Sequence, residues 1–254
     1  MPVAATPPPF ALQLAQMRLA AAPALALDNF TWINNVTTGA GHCRFAHAAD
    51  HCLTRHTGLP FTAIAVEGQR PATLRSLAAA LLDPGQAAYT LAPARIATPL
   101  AAAVRIRSAQ LEWQMLYEGD AATLDPGPAR LLTPADLPAM LALAASDEVM
   151  VFNADSLHRG HFYGLFVAGE LAAMGGVQNR LPGYAEIGSI VTHPAWRRRG
   201  YAGHIVAALL RHLQAEQQRI FLCLFQSNVA ARRLYEKLGF TLINELTLLH
   251  WQLP

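Results

Sequence analysis

The chain has 254 residues, of which 53% are hydrophobic and 14% are charged, so it can bury a sizeable core. This composition excludes a disordered or fibrous protein. The formal net charge is only +2 and the arginines are scattered except for the run 197–199, so no basic stripe of the kind that binds nucleic acid is present. No apolar stretch reaches the length of a membrane-spanning helix, and the three cysteines form no CxxC motif. We therefore expect a soluble cytoplasmic protein with no nucleic-acid or membrane partner.

Helices and strands are mixed in the first half of the chain, which contains no recognisable motif. The apolar pattern predicts helices near 10–22, 42–56, 72–82 and 94–105, and strands at 61–66, 88–91 and 109–117. Segment 118–130 is rich in Pro, Gly and Asp, which is typical of a linker. We place a boundary near residue 125, which gives two domains, 1–125 and 126–254.

The second half predicts a mixed α/β domain with a largely antiparallel sheet. A strand at 130–133 is followed by a helix that begins at Thr133-Pro134 and runs to Ala145, and then by a second helix. The remaining predicted elements are strands 162–167, 171–177 and 184–191, a long helix from 202, strand 220–225, helix 228–238 and strand 240–251. We expect a hairpin at Ala168-Gly169, a helix end at Gly239 and a turn near Asn244.

The segment 191–203 carries glycine and small residues where a strand leads into the long helix. Free backbone N–H groups and the positive end of the helix dipole make such a turn suitable for an anion. Gly200, Ala202 and Gly203 leave these amides accessible, and the arginine run 197–199 adds positive charge. The pattern fits a pyrophosphate group, although an ordinary turn beside a solvated arginine run has the same residues.

A second candidate binding surface lies on helix 228–238, where Asn228, Ala231 and Tyr235 share one face. Such a face can line one extended ligand, although Tyr235 alone would also be typical of a half-buried aromatic residue. The two segments resemble signatures of the GNAT superfamily of N-acetyltransferases. Residues 197–202 match Q/R-x-x-G-x-G/A, and Asn228, Ala231, Leu234, Tyr235, Gly239 and Phe240 match N-x-x-A-x-x-L/F-Y-x-x-x-G-F.

The resemblance implies the α/β (α+β) fold of acyl-CoA N-acyltransferases, a mixed, mostly antiparallel sheet flanked by helices in which two strands splay apart around acetyl-CoA. The cofactor-binding residues that it implies are Ile190, Val191, Thr192, Arg197, Arg198, Arg199, Gly200, Tyr201, Ala202, Gly203, Asn228 and Ala231. The first half resembles two-lobed members similar to glycine N-acyltransferases, in which a degenerate α/β copy of the fold precedes the catalytic domain.

The expected function is transfer of an acetyl group from acetyl-CoA to a primary amine by direct attack. A phenol of pKa ~10 can donate a hydrogen bond and a proton to a thiolate of pKa ~8.5, which makes Tyr235 the expected general acid. Glu186 resembles the strand carboxylate of histone-type members and is the expected base. The same carboxylate could instead order a water or the amine, or pair with an arginine.

Other functions remain open on the sequence. The acyl donor could be a longer acyl-CoA and the acceptor glycine-like, or the chain could be a CoA-binding sensor or interaction module without catalysis. The acceptor would be a small-molecule or peptide amine, and the protein a monomer or homodimer.

A metal site is conceivable in the first half, because Cys43, His47 and His51 recur every four residues along the predicted helix 42–56. Zinc ligands usually come from separate elements, however, and no later segment completes a His-Cys signature. We therefore expect no metal. Cys223, in an apolar run, is expected to be a small core residue rather than a nucleophile.

Overall fold

A computed structural model describes residues 3–147 and 149–254 and divides the chain into two compact units. Unit 1 comprises the residues up to Gln114 together with Ile243–Pro254, and unit 2 comprises Met115–Leu242. These units differ in extent from the domains 1–125 and 126–254, because the end of the chain forms a strand of unit 1. Among the described residues, no helix has both the length and the apolar character needed to cross a membrane.

Unit 1 is a mixed α/β structure whose helices α1, α2 and α4 begin with proline, a residue suited to the first helical turn. In chain order its elements are β1 (Val3–Ala4), α1 (Pro9–Leu19), α2 (Pro23–Leu27), α3 (Phe30–Val36), β2 (Cys43–Ala48), β3 (His51–His56), β4 (Ala63–Glu67), α4 (Pro71–Leu81), β5 (Ala87–Ala92), α5 (Ala94–Ala103) and most of β6 (Arg105–Tyr117). Pro99 lies inside α5 without interrupting it.

The sheet of unit 1 has the order β1-β2-β3-β4-β5, and the end of the chain pairs with β5. All of these pairs are antiparallel except β4 with β5. Leu249, Trp251 and Leu253 from the end of the chain are buried in the same apolar cluster as residues of α4 and α5. The end of the chain therefore contributes these three side chains to the core of unit 1.

The helix expected at 42–56 is wrong, because these residues form the antiparallel hairpin of β2 and β3. His47 pairs with Cys52 and Cys43 pairs with His56, and Ala49 adopts a positive φ of 51° at the turn. The four-residue spacing that suggested one helix face is therefore divided between two strands. In addition, the Cys43 side chain is buried whereas the His47 side chain is exposed.

Unit 2 is a second mixed α/β structure, and the long strand β12 begins in it. Its elements are β7 (Arg130–Leu131), α6 (Leu137–Ala145), α7 (Ser156–Arg159), β8 (Phe162–Val167), β9 (Glu170–Leu181), β10 (Tyr184–Thr192), α8 (Tyr201–Ala215), β11 (Arg219–Phe225), α9 (Val229–Leu238) and the start of β12 (Phe240–Gln252). The sheet order is β7-β8-β9-β10-β11, and all pairs are antiparallel except β10 with β11.

Local sequence signals in unit 2 are confirmed at several helix and turn positions. Ala168 and Gly169 form the β8–β9 hairpin with φ values of 51° and 86°, and Gly239 ends α9 with a φ of 103°. The five large apolar residues of the α8 pattern are all buried, namely Ile205, Val206, Leu209, Leu210 and Leu213.

The turn expected near Asn244 is wrong, because β12 continues through this residue. The Asn244 side-chain amide instead donates hydrogen bonds to Ala24 O and Gln114 Oε1, each at 2.7 Å. These long-range partners satisfy a side chain that would otherwise favour a turn. The architecture as a whole agrees with the expected fold class, a mixed α/β protein with mostly antiparallel sheets flanked by helices.

Glu112 of β6 generates a prediction about stability, because burial raises the pKa of this carboxyl to about 7. An unfolded glutamate titrates near pKa ~4.3. Between these values the unfolded state releases its proton while the folded state retains it, so folding stability falls as pH rises through this window, by on the order of 3 kcal/mol. Glu112→Gln removes this titration and should gain stability relative to wild type as pH increases.

Urea denaturation of both proteins from pH 4.5 to 8 measures the difference. Glu170→Gln, which removes an exposed carboxylate from β9, is the control. A constant difference between Glu112→Gln and wild type over this range would contradict the assignment of a buried, protonated Glu112.

Candidate functional site

The candidate site lies where the parallel strands β10 and β11 stop pairing. Their register joins Tyr184 with Arg219 and ends at Glu186 with Phe221. Beyond that pair β10 continues to Thr192 and β11 to Phe225, so each strand extends without the other. Backbone groups along this part of β10 are therefore available to an extended ligand.

A bulge in β10 accounts for the early end of this pairing. The register of β10 with β9 shifts between Glu186 and Ile187 and again between Gly188 and Val191, and Ser189 has a φ of 50°. Bulges bend a strand and leave ladder groups unpaired. Gln178 holds the bulge by donating a hydrogen bond of 3.0 Å from Nε2 to Ser189 Oγ.

Gly188 leaves room for the side-chain amide of Gln178, because a Cβ at this position would overlap that amide and displace it from Ser189. The candidate residues Ile190, Val191 and Thr192 follow directly on the same strand, where Ile190 and Thr192 are half-buried and Val191 is buried. All three residues therefore lie in the part of β10 that has separated from β11.

A turn rich in left-handed backbone connects β10 to α8. Arg198 and Gly200 have φ values of 64° and 82°, and the first hydrogen bond of α8 runs from His204 N–H to Gly200 O at 3.2 Å. The amides of Tyr201, Ala202 and Gly203 precede that bond, so the helix itself offers them no acceptor. An added Cβ at Gly200 would meet no atom within 4 Å, which shows open space at this turn.

The three arginines of the turn differ in their contacts. Arg197 donates from Nε to Thr192 O at 3.1 Å and forms an ion pair of 2.6 Å with Asp147, so it holds the turn to the rest of unit 2. Arg199 lies over the Trp196 ring with its guanidinium carbon 5.5 Å from the ring centroid. Arg198 and Arg199 are exposed cations beside the open amides.

Helix α9 lies next to the first turn of α8, since a Cβ added at Gly203 would be 3.7 Å from Leu234 Cδ1. Asn228 caps α9 by accepting a hydrogen bond of 3.1 Å from Ala231 N–H to its Oδ1. Capping occupies this carbonyl oxygen, so the side-chain NH2 is the part of Asn228 that suits a ligand carbonyl.

Tyr235 is the only buried residue of α9, and its ring lies edge-on to Phe240 with centroids 5.7 Å apart. Burial raises the pKa of Tyr235 to about 12, so the phenol is protonated throughout the neutral range. These contacts describe an aromatic core position, and its role in the candidate site is a proposal developed below.

Glu186 lies at the base of the gap, as the last residue of β10 that pairs with β11. It is buried, with 5% of its surface exposed, and Asn179 Nδ2 donates a hydrogen bond to Glu186 Oε2. Asn179 is the directly opposite residue on β9. Sequence reasoning missed this amide, and its only signal was its place in a short polar run, 178–180, near the end of a mostly apolar strand.

Tyr117 was also missed by the sequence analysis. Its ring lies 5.2 Å from that of Phe240, which also contacts Tyr235. The Tyr117 hydroxyl is buried and has no hydrogen-bond partner among the residues that the structure describes. The pKa of this phenol is raised, chiefly because the hydroxyl is buried and to a lesser extent because of the negative charge of Asp120.

Comparisons with known proteins identify the fold. The FR47-like protein family matches residues 162–249, which extend from β8 into β12. A GNAT-family protein from Novosphingobium aromaticivorans is 26% identical, with a TM-score of 0.75 over 89% of this chain and 97% of its own. No curated protein matches the sequence.

Two further solved structures agree with this fold. A GCN5-related N-acetyltransferase-like protein from Streptococcus suis has a TM-score of 0.66 at 13% identity, over 95% of this chain and 98% of its own. A tandem GNAT protein from the clavulanic acid biosynthesis pathway has a TM-score of 0.61 at 15% identity, over 96% of this chain and 92% of its own. The chain therefore has the GNAT acyltransferase fold, and this fold supports an acyltransferase activity.

The unpartnered hydroxyl of Tyr117 generates a prediction. Removing a buried polar group that makes no hydrogen bond is neutral or stabilising, so Tyr117→Phe should leave the free energy of unfolding unchanged or raise it by about 1 kcal/mol. Tyr163→Phe is the matched control, because its hydroxyl lies 3.1 Å from His212 Nδ1 and its removal should cost about 0.5–1.5 kcal/mol. Urea denaturation distinguishes the two, and a clear loss of stability in Tyr117→Phe would refute the assignment.

Proposed function

We propose that the chain is an acyl-CoA-dependent N-acyltransferase that moves an acetyl group from acetyl-CoA to the primary amine of a small molecule or peptide. The observation that carries this proposal is the separation of β10 from β11 beyond Glu186, beside a bulge and directly before the open amides of α8. An extended thioester with a pyrophosphate at one end matches both features.

The residues of the turn fit the anionic end of such a donor. The amides of Tyr201, Ala202 and Gly203 point from a helix start toward open space, and Arg198 and Arg199 supply positive charge. Because Arg197 already binds Thr192 O and Asp147, its proposed contribution is to hold the turn in place rather than to contact phosphate.

The bulged strand and α9 fit the rest of the donor. Backbone N–H and C=O groups of Ile190, Val191 and Thr192 would pair with the amides of the pantetheine arm. The half-buried Ala231 would leave room for that arm, and Asn228 would donate its NH2 to an arm carbonyl. These assignments use the free backbone of the gap for the polar groups that an extended donor carries.

In the proposed reaction the amine nitrogen forms a bond to the carbonyl carbon of the thioester, and the carbon–sulfur bond breaks. A backbone N–H near Ile190 or Val191 would stabilise the developing oxyanion. Tyr235 would donate a hydrogen bond to the departing sulfur. Its pKa of about 12 keeps the phenol protonated but makes complete proton transfer to a thiolate of pKa ~8.5 unfavourable, so hydrogen bonding is the contribution that this environment favours.

The proton lost by the amine would pass toward Glu186, directly or through a water. The hydrogen bond from Asn179 Nδ2 fixes one oxygen of this carboxylate. Such a fixed carboxylate at the base of the gap could also hold the ammonium form of the acceptor. Both roles place a negative charge where a positively charged nitrogen arrives.

We further propose that residues 1–125 derive from a degenerate copy of the same fold. The match to a tandem GNAT protein over 96% of this chain supports this view. A two-lobed arrangement also favours an alternative choice of substrates. Two-lobed proteins similar to glycine N-acyltransferases would use a longer acyl-CoA as donor or a glycine-like acceptor. Assays should therefore include an acyl-CoA chain-length series and glycine among the acceptors.

Donor binding is tested with the double variant Arg198→Ala/Arg199→Ala in calorimetric titrations of acetyl-CoA and S-acetyl-pantetheine. A hydrogen bond to a charged group contributes ~1.5–3 kcal/mol, so each arginine that reaches a phosphate should tighten binding of acetyl-CoA by about 10- to 150-fold. The variant should therefore bind acetyl-CoA more weakly than wild type does. S-acetyl-pantetheine lacks the pyrophosphate, so the variant and wild type should bind it with equal, lower affinity.

Arg105→Ala/Arg107→Ala removes two exposed arginines of β6 and controls for the same change in net charge. Equal losses with both donors would place the two arginines away from the phosphates. Failure of the wild-type protein to bind acetyl-CoA, propionyl-CoA or CoA would make the whole proposal wrong.

Catalysis is tested by release of free CoA thiol over a panel of amines. Glu186→Gln should lower kcat by about 10²–10⁴-fold, the contribution typical of a positioned base. Tyr235→Phe should lower kcat by about 10²–10³-fold, the loss typical of removing one hydrogen-bond donor to a developing negative charge, and both variants should show little change in KM for acetyl-CoA. Tyr117→Phe, in the same aromatic cluster as Tyr235, is the matched control and should retain kcat. Tight acetyl-CoA binding without thiol release for any amine or acyl chain would instead identify a CoA-binding module without catalysis.

A further inference from the structure

Three metal-ligating side chains converge in unit 2 at the C-terminal end of α8. They are His161, which directly precedes β8, His212 of α8, and Glu216, which directly follows α8. His212 Nε2 lies 3.1 Å and His161 Nδ1 lies 3.9 Å from the same oxygen, Glu216 Oε1. One nitrogen from each imidazole and one carboxylate oxygen all lie within 4.8 Å of one another.

Neighbouring side chains orient two of these groups. The Tyr163 hydroxyl lies 3.1 Å from His212 Nδ1, so a proton on Nδ1 leaves the lone pair on Nε2 directed toward Glu216. Arg180 Nη1 donates to Glu216 Oε2 at 2.9 Å, which directs the other carboxylate oxygen toward the histidines. Hydrogen bonds of this kind from outside a metal's ligand set fix the tautomer and orientation of its ligands.

We propose that His161, His212 and Glu216 form a Zn²⁺ site, with water completing a four-coordinate shell. Zinc–nitrogen and zinc–oxygen bonds of ~2.0–2.2 Å in a tetrahedron separate neighbouring ligand atoms by roughly 3.3 Å. The distances of 3.1 and 3.9 Å reach this value with side-chain shifts below 1 Å. Two imidazoles and one carboxylate are a ligand set that zinc accepts while keeping an open position.

The position of the cluster makes metal entry and coordination by water feasible. The His161 side chain is 45% exposed and the Glu216 side chain 34% exposed, so solvent reaches the ligands. The ligands come from two separate elements, so a bound ion would join the start of β8 to the C-terminal end of α8. Because Zn²⁺ would bind the folded state, it should raise the Tm of the protein in a concentration-dependent manner.

The alternative is a hydrogen-bonded cluster without a metal, in which His212 Nε2–H donates to Glu216. The two arrangements share the same distances, but only the first has a saturable response to added Zn²⁺.

The test uses the full-length protein without a polyhistidine tag, stripped of metal by a chelator. Calorimetric titration with ZnCl₂ should give one saturable site. His161→Ala and Glu216→Gln should each weaken binding by at least about tenfold, and Tyr163→Phe by about 10–100-fold, as for other residues that orient metal ligands. His158→Ala, which removes a nearby exposed histidine of α7, should leave the affinity unchanged.

Co²⁺ provides a second readout that does not depend on stability, because a four-coordinate ion absorbs visible light far more strongly than a hexahydrated one. Wild type loaded with Co²⁺ should show this absorption, and His161→Ala should not. Wild-type zinc affinity equal to that of His161→Ala, or a Co²⁺ spectrum equal to that of the free ion, would overturn the proposal and leave the hydrogen-bonded cluster.

Discussion

The candidate site depends on one constraint, the bulge that ends the pairing of β10 with β11 after three residue pairs. A strand inside a sheet normally satisfies its backbone groups on both sides, and leaving them unpaired is costly unless water or a ligand takes their place. Gly188 and the bond from Gln178 to Ser189 keep the strand in this bulged form. The gap therefore favours an extended ligand whose own donors and acceptors can replace a strand.

The same strand also determines where an anion can bind. Thr192 ends β10, and its carbonyl oxygen accepts a hydrogen bond from Arg197, which also pairs with Asp147. These contacts hold the turn while Arg198 and Gly200 supply the left-handed backbone that leads into α8. Free backbone of the strand and free amides of the helix thus follow each other within a few residues, which suits one ligand with a polar arm and a charged end.

Local signals determined which elements could be predicted from the sequence. The apolar spacing of α8, the hairpin at Ala168-Gly169 and the helix end at Gly239 each depend on residues close together in the chain, and the structure confirms them. The helix at 42–56 was wrong because its two halves pair with each other as a hairpin, which a four-residue spacing of His and Cys does not reveal. The turn near Asn244 was wrong because distant partners, Ala24 and Gln114, accept hydrogen bonds from its side chain. The bulge, the bond from Asn179 to Glu186 and the buried hydroxyl of Tyr117 likewise depend on neighbouring strands or loops that a single sequence pattern does not specify.

The division of the chain shows a further limit of reading domains from linkers. Segment 118–130 has the composition of a linker, yet the units divide within two strands, after Gln114 in β6 and after Leu242 in β12. Six residues of β12, from Thr247 to Gln252, pair with β5, and Trp251 is fully buried in the core of unit 1. A chain cut near residue 125 would remove these residues from the core they complete. Each unit therefore contains chain from both sides of the boundary near residue 125.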